Sequence, residues 1–260
     1  MSETKLEETL HSFISTTGKS KIAVVIPLFG YWSDTSQQLN EETLRIVMDR
    51  MVSNIHQTYY IFVADDQRLT KKVGDVLLGI AKGGNFKGVS AKAGSSYSEY
   101  LRLGISCALE DTDAQYVLCV NPWIMLQYNG IDILVDRVNR EDAKIVSGLD
   151  VNGIIAAAQF NEHKFNLPRE FKGIDANFFG MKRYVAEMIG FDEQYKTHYF
   201  LGRDIWQTLF TKGFESIISE KAPIFTFKVD WTEFEDQSSF DADAQHFLSK
   251  WHFNADIKYE

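Results

Sequence analysis

Residues 21–29 read KIAVVIPLF. A compact apolar run, rich in β-branched side chains and closed by a proline, has the pattern of a strand buried on both faces. Such strands belong to parallel sheets covered by helices on either side, so alternating elements should follow. Over residues 39–56 the apolar positions Leu44, Val47, Met48, Met51, Val52 and Ile55 recur at three and four, which predicts a helix with one buried face. YYIFVA (59–64) is a second strand, ending in Asp65-Asp66, and RLTKKVGDVLLGIAK (68–82) has helical spacing. FKGVSA is a weak strand, and YSEYLRLGISCAL (97–109) is a helix despite Gly104. It leads into QYVLCV (115–120), which stops at Asn121-Pro122-Trp123. The pattern predicts an α/β fold with a mostly parallel sheet flanked by helices.

Beyond residue 125 the alternation loosens. A helix is expected over 131–139 and a strand over 144–147, followed by a polar, loop-like stretch, FNEHKFNLPREFKG. A second ordered block follows: strand ANFFGM, helix KRYVAEMIG, loop FDEQYKTHYFLG, helix RDIWQTLFTKG and strands near ESIIS and IFTFKV. No internal repeat or linker interrupts the chain. The expected organisation is an N-terminal extension, 1–20, and one domain, 21–260, whose C-terminal half is elaborated.

The 260 residues are 45% hydrophobic and 24% charged, an ordinary globular composition. With 27 Lys and Arg against 36 Asp and Glu, the net charge of -9 supplies no global positive field for nucleic acid or an anionic membrane. Cys107 and Cys119 form no Cys-x-x-Cys pair, so neither a disulfide framework nor a zinc knuckle is indicated. The N-terminal residues lack the apolar core of a signal peptide, and no apolar run approaches the ~20 residues of a membrane span. A soluble protein in a reducing, cytoplasmic setting is expected.

In an open parallel sheet, ligands bind in the crevice at the carboxyl ends of the strands. That rule selects Pro27-Leu28-Phe29, Asp65-Asp66 and Asn121-Pro122-Trp123, with Asp204 in GRDIWQTLF as a further acid. Each has an ordinary reading as well. Asp65-Asp66 and Asp204 suit the first turn of a helix, where aspartate meets the orphan amides.

The joint order is more specific than any piece. KIAVVIPLFGYW, SNIHQTYYIFVADDQ, AGSSYSEYLRLGISCAL and DAQYVLCVNPWIML, taken together, resemble the N-terminal half of family-two glycosyltransferases of the GT-A fold. There a V-V-I-P strand, a strand ending in D-D, a Gly-led R-x-x-G-I helix and a strand ending in D-x-D succeed one another. FFGMKRYVAEMIGFDEQY and GRDIWQTLFTKGF resemble that family's G-F-D-E stretch and E-D helix, and FLSKWHFN its F-x-x-K-W segment. The resemblance implies a Rossmann-like GT-A fold with a nucleotide-binding half (21–125) and an acceptor-binding half (126–260). It also implies inverting transfer of a sugar from a nucleotide-sugar donor, a UDP-sugar first among them, to an acceptor hydroxyl; a homo-oligomer stays open.

Carried over residue by residue, Pro27, Leu28 and Phe29 match the loop beneath the nucleoside. Asp65, with Asp66 beside it, matches the aspartate that holds base or ribose. Gly94 and Arg102 match the glycine and arginine of the helix near the nucleotide, although a plain turn and a solvated arginine are equally ordinary. Asp204 matches the general base of E-D, whose first acid is replaced here by Arg203. Asn121, Pro122 and Trp123 stand where the family has D-x-D. Asn121 keeps a hydrogen-bonding group and Trp123 an aromatic surface, but the usual ligands for Mg²⁺ or Mn²⁺ are missing. Arg102, Arg203, Lys182, Arg183 and Lys250 are therefore the candidate cations for a leaving diphosphate. Asp111-Thr112-Asp113, a D-x-D by pattern, precedes the strand and is read as a turn. His198 and Tyr199, placed in a loop ahead of Asp204, are candidates for an acceptor lid, and Lys250 and Trp251 of FLSKWHFN are further diphosphate or acceptor candidates; His198, His246 and His252 read otherwise as surface histidines.

The competing reading is a catalytically inactive GT-A-like module that binds a nucleotide or a protein partner. A dinucleotide-binding or P-loop fold is not supported: no G-x-G-x-x-G follows the first strand, and GIAKGGNFKG lacks a Gly-Lys-Ser/Thr ending.

Overall fold

The computed structural model describes residues 21–29, 41–51, 53, 56–65, 85–122, 124–140, 144–150, 174, 176–226 and 237–252, with backbone alone for 41–45, 65, 85, 149–150, 199, 217–226 and 237. The expected extension 1–20, the helix over 68–82 and the polar stretch 160–173 lie outside these residues, as do Tyr31, Trp32, Asp66 and Trp123. In chain order the elements are β1 (Lys21–Pro27), α1 (Glu41–Arg50), β2 (Gln57–Asp65), β3 (Asn85–Ala91), α2 (Tyr97–Asp111), β4 (Tyr116–Val120) and β5 (Ile124–Leu126). These are followed by α3 (Gly130–Arg140), β6 (Ile145–Asp150), β7 (Phe178–Lys182), α4 (Arg183–Met188), α5 (His198–Thr211), β8 (Ser216–Thr226) and α6 (Gln237–Lys250).

The strands form one eight-stranded sheet in the order β3-β2-β1-β4-β7-β6-β8-β5. It is mostly parallel: β2–β3, β1–β2, β1–β4 and β6–β8 pair parallel, whereas β4–β7, β6–β7 and β5–β8 pair antiparallel. The continuous apolar run of β1 is explained by its central place. Ile22, Val24 and Ile26 pack on one face against Val47 and Met48 of α1, Met51 just after it, and Ile131, Leu134, Val135 and Val138 of α3. Ala23 and Val25 face the other side with Leu101, Ile105 and Ala108 of α2. Alternate side chains thus serve two cores, and each fully buried Val or Ile contributes about 2 kcal/mol.

Two elements differ from expectation. Ser216–Ser219 of ESIIS and Ile224–Thr226 of IFTFKV are parts of one strand, β8; Gly148 pairs with Ser219 and Leu149 with Pro223, so the proline sits at a register shift, where a missing N–H is tolerated. The other is α5, which begins at His198, inside the expected loop. Gly202 reads as a break in sequence, yet it is helical; it is a glycine because a Cβ there would stand 2.2 Å from Ile174 O. Gly202→Ala should therefore destabilise the protein by about 3 kcal/mol in urea unfolding, since the obstacle is backbone and cannot turn aside. Among the described residues no helix is long and apolar enough to cross a membrane.

Candidate active site

Parallel pairing brings the carboxyl ends of β1, β2, β3 and β4 to one edge of the sheet. Pro27 ends β1 opposite Val63, and the Leu28 amide donates to Val63 O at 2.8 Å. Phe29 stands edge-on to Tyr97 and Tyr100, with ring centroids 5.6 and 5.4 Å apart. The backbone of Asp65 closes β2 beside Ala91. Gly94 has φ +80 in the turn that reverses the chain into α2, so its conformation alone accounts for a glycine there. Ser96 caps α2 by accepting from the Glu99 amide at 3.2 Å.

Asn121 follows β4 and is 1% exposed. Its backbone amide donates to Asn177 O at 2.7 Å, and its side-chain amide donates to Asn177 Oδ1 at 2.9 Å and to Tyr97 Oη at 3.5 Å. Tyr97 Oη in turn donates to Ala176 O at 3.1 Å. The carboxamide expected at a ribose is thus turned inward, fastening β4 to the entry of β7. The His198 ring lies edge-on to Tyr97 at 6.2 Å. Phe29, Tyr97, Asn121, Asn177 and His198 make one aromatic and polar wall contributed by five segments. Asn177 belongs to no motif, and Tyr97, although within AGSSYSEYLRLGISCAL, is not one of its motif positions; its place, first in the helix after a glycine turn, is the available signal.

Asp204 is not a first-turn acid. It lies midway along α5 and is 1% exposed. Its Oδ1 accepts from the Tyr195 hydroxyl at 3.1 Å and from the Trp251 indole at 2.8 Å, while Lys250 Nζ reaches Oδ2 at 2.9 Å. Lys250 also meets Asp192 Oδ2 at 2.9 Å, where His246 Nε2 arrives at the same distance. The acid of GRDIWQTLF and the Lys-Trp pair of FLSKWHFN therefore form one internal cluster, joined by the Asp192 of GFDEQY. Sequence reading had Lys250 and Trp251 as acceptor or diphosphate groups and His246 as a surface residue. Instead, His246 is half-buried on a carboxylate, and His198 half-buried on Tyr97; His252 is exposed.

Burial disfavours the charge on Asp192, but the hydrogen bonds from His246 and Lys250 outweigh it and hold the carboxyl down at about 2. For Lys250, burial lowers the pKa, and the bonds to Asp204 and Asp192 more than restore it, leaving it raised. Burial, followed by the charge of Asp204, pushes the Tyr195 phenol far up, so it serves as a donor throughout the ordinary pH range. Because the folded-state value of Asp192 lies below its ordinary 3.8, its contribution is complete above about pH 4 and disappears as pH falls towards 2. Acid titration of stability should lose about 2 kcal/mol across that window, and Asp192→Asn should remove that part of the dependence.

Asp243 of α6 is a further buried acid. It accepts from the Lys196 amide at 3.0 Å, the Thr197 amide at 2.7 Å and the Thr197 hydroxyl at 2.7 Å, fixing the entry to α5. The other candidates disperse. Arg102 pairs with Glu193. It precedes Gly104 by two residues, one fewer than R-x-x-G-I requires, which turns it ~100° around the helix from the family's arginine. Lys182 pairs with Tyr116 at the amino end of β4, so it and Arg183 lie ~16 Å from Asn121 and are excluded as diphosphate cations here. Arg183 instead donates to Thr112 O at 2.9 Å behind α2. Asp111 and Asp113 are taken by Lys87 and Lys21. Arg203 is half-buried on α5, and the side chain of Tyr199 is outside the described set.

Solved structures reproduce this architecture. Glucosyl-3-phosphoglycerate synthase from Mycobacterium tuberculosis, in complex with Mg²⁺ and UDP, superposes with a TM-score of 0.59 over 96% of this chain and 84% of that one, at 12% identity. The same enzyme with Mn²⁺, UDP-glucose and phosphoglyceric acid gives 0.60 over 95% and 84%, at 14% identity. The fold is that of the GT-A glycosyltransferases. A mannosyltransferase from Pyrobaculum calidifontis, in complex with GDP-Man and Mn²⁺, shares the GT-A fold at 0.60 over 93% and 67%, with 9% identity. No family model matches the sequence, and no curated protein matches it.

The GT-A fold commonly carries a divalent metal, but the residues here do not fit one. Of these three positions only Asn121 keeps a hard donor, a single carboxamide oxygen, its amide nitrogen being given to Asn177; Pro122 has no side-chain donor atom, and an indole offers no lone pair to a hard cation. Among the described residues no group of three or more His, Cys, Asp or Glu could hold a metal.

Proposed function

We propose that this chain transfers a sugar from a nucleotide-sugar donor, a UDP-sugar first, to an acceptor hydroxyl with inversion at the anomeric carbon. The observation that carries the reading is the GT-A fold, matched over nearly the whole chain by structures that hold UDP, UDP-glucose or GDP-Man. The half formed by residues 21–125 holds the donor at the wall of Phe29, Tyr97 and Asn121, to which Asn177 of the other half is joined, and Asp65 is assigned to the nucleoside. Residues 126–260 take the acceptor, His198 and Tyr199 nearest to it. Asp204 removes the acceptor proton as the acceptor oxygen bonds to the anomeric carbon; the bond from that carbon to the diphosphate breaks and its electron pair leaves with the diphosphate. Arg203 and Arg102 are the cations assigned to that leaving charge, Arg102 after releasing Glu193. No metal is required at Asn121-Pro122-Trp123. Turnover should therefore persist in excess chelator, and complete loss restored by Mn²⁺ would refute metal-free transfer.

A second reading, a non-catalytic GT-A module, is favoured by the internal saturation of Asp204. A thermal-shift screen against UDP-, GDP-, CMP- and dTDP-sugars, with and without Mn²⁺, separates binding from its absence. A shift accompanied by donor hydrolysis supports the enzyme; a shift without turnover supports the module.

A further inference from the structure

We infer that Asp192 is a positioning residue for the proposed reaction, keeping the Lys250 ammonium anchored while Asp204 accepts the acceptor proton. The inference rests on the reading of Asp204 as base. Lys250 stands between two carboxylates, 2.9 Å from Asp192 and 2.9 Å from Asp204. If Asp204 were its sole counter-ion, proton uptake would leave a half-buried ammonium uncompensated, a state that buried ion pairs strongly resist. Asp192 removes that obstacle because its own ionisation does not depend on Asp204. Its Oδ2 is bound by His246 as well as Lys250, its Oδ1 accepts from the Gln194 amide at 3.0 Å, and its carbonyl accepts from Ser98 Oγ at 2.7 Å.

The groups around Asp204 are consistent with a shared cation. Tyr195 faces it from the loop before α5, and Lys250 and Trp251 from the end of α6; His246 and Asp243 of α6 and Arg203 of α5 complete the charged surroundings. Tyr195 and Trp251 are neutral donors that serve either protonation state of the carboxyl, since one oxygen remains an acceptor. Lys250 needs a negative partner, and among the described residues that pair with it Asp192 supplies one after proton transfer. Acceptor binding then requires only that Lys250 lean from Asp204 to Asp192, with no loss of its ion pair. The proton moves from the acceptor oxygen to Asp204 Oδ2, and the ammonium keeps its own three protons.

A double-mutant cycle on the full chain tests this without any substrate. Asp204→Asn imitates the neutral base, so Lys250 should stay on Asp192 and Tm should fall by only about 3 °C. Asp192→Asn should cost a similar amount, and the double variant about 10 °C or more, beyond the sum of the two. Additive losses would overturn the inference. The pH dependence of kcat/KM supplies the readout that a purely structural role would not move. Asp192→Asn should carry the acid limb to lower pH and reduce kcat about tenfold with donor KM unchanged, Lys250→Met should carry it higher, and Lys250→Arg should restore the wild-type profile. An unmoved limb in Asp192→Asn would overturn the inference. Full activity in Asp204→Asn would instead refute the base assignment, and the stability cycle would still report whether Asp192 retains the lysine.

Discussion

Asp204→Asn is expected to lower transfer by about 10²–10⁴-fold while the protein stays folded. The asparagine keeps one acceptor for the Tyr195 hydroxyl and the Trp251 indole, which reach the native carboxylate at 3.1 and 2.8 Å, so the packing of α5 against the end of α6 survives. What it cannot do is take a proton. Donor affinity should be unchanged, because the wall at Phe29, Tyr97 and Asn121 lies at the carboxyl ends of β1 and β4, and kcat should carry the whole effect. Steady-state transfer measured beside circular dichroism decides the matter. A folded variant with wild-type turnover would remove Asp204 from the chemistry, and a variant that unfolds would make it a strut.

Asp243→Ala should give the largest loss of stability, about 4 kcal/mol in urea unfolding near neutral pH. The carboxylate is 1% exposed and serves the amides of Lys196 and Thr197 together with the Thr197 hydroxyl. Truncation strands the buried amide and hydroxyl of Thr197, and the part-buried amide of Lys196, at the junction that sets the direction of α5, and therefore the placement of both His198 and Asp204. Asp243→Asn keeps one acceptor and should lose about half as much. A loss under about 1 kcal/mol for the alanine variant would mean that water replaces the carboxylate.

The half of the fold that carries the wall at Phe29, Tyr97 and Asn121 was legible because its strands are buried on both sides. Ile22, Val24 and Ile26 answer to one core and Ala23 and Val25 to the other, and that double burial writes an unbroken apolar run into the sequence. The start of α5 was not legible, since the helical Gly202 owes its identity to the carbonyl of Ile174, distant in sequence. Nor was α6, whose polar composition conceals a narrow stripe of Phe240, Ala244, Phe247 and Trp251 spaced at four, three and four. Asp204 was singled out by motif order, but its partners could not be. Lys250 and Trp251 were singled out for other roles, not as its partners, while Tyr195 and Asp192 lie in a segment without periodic signal. Finding them together changes the meaning of the Lys-Trp pair: it is fastened to Asp204, so the architecture of the cluster alone accounts for its presence in the sequence.

The central claim, transfer from a nucleotide-sugar, is tested most directly by the release of free nucleotide from UDP-, GDP-, CMP- and dTDP-sugars in the presence of chelator, with Asp204→Asn as the control. The account predicts nucleotide release from at least one donor, a UDP-sugar first, at a rate about 10²-fold or more above the control. Neither binding nor release with any donor, with or without Mn²⁺, would contradict it.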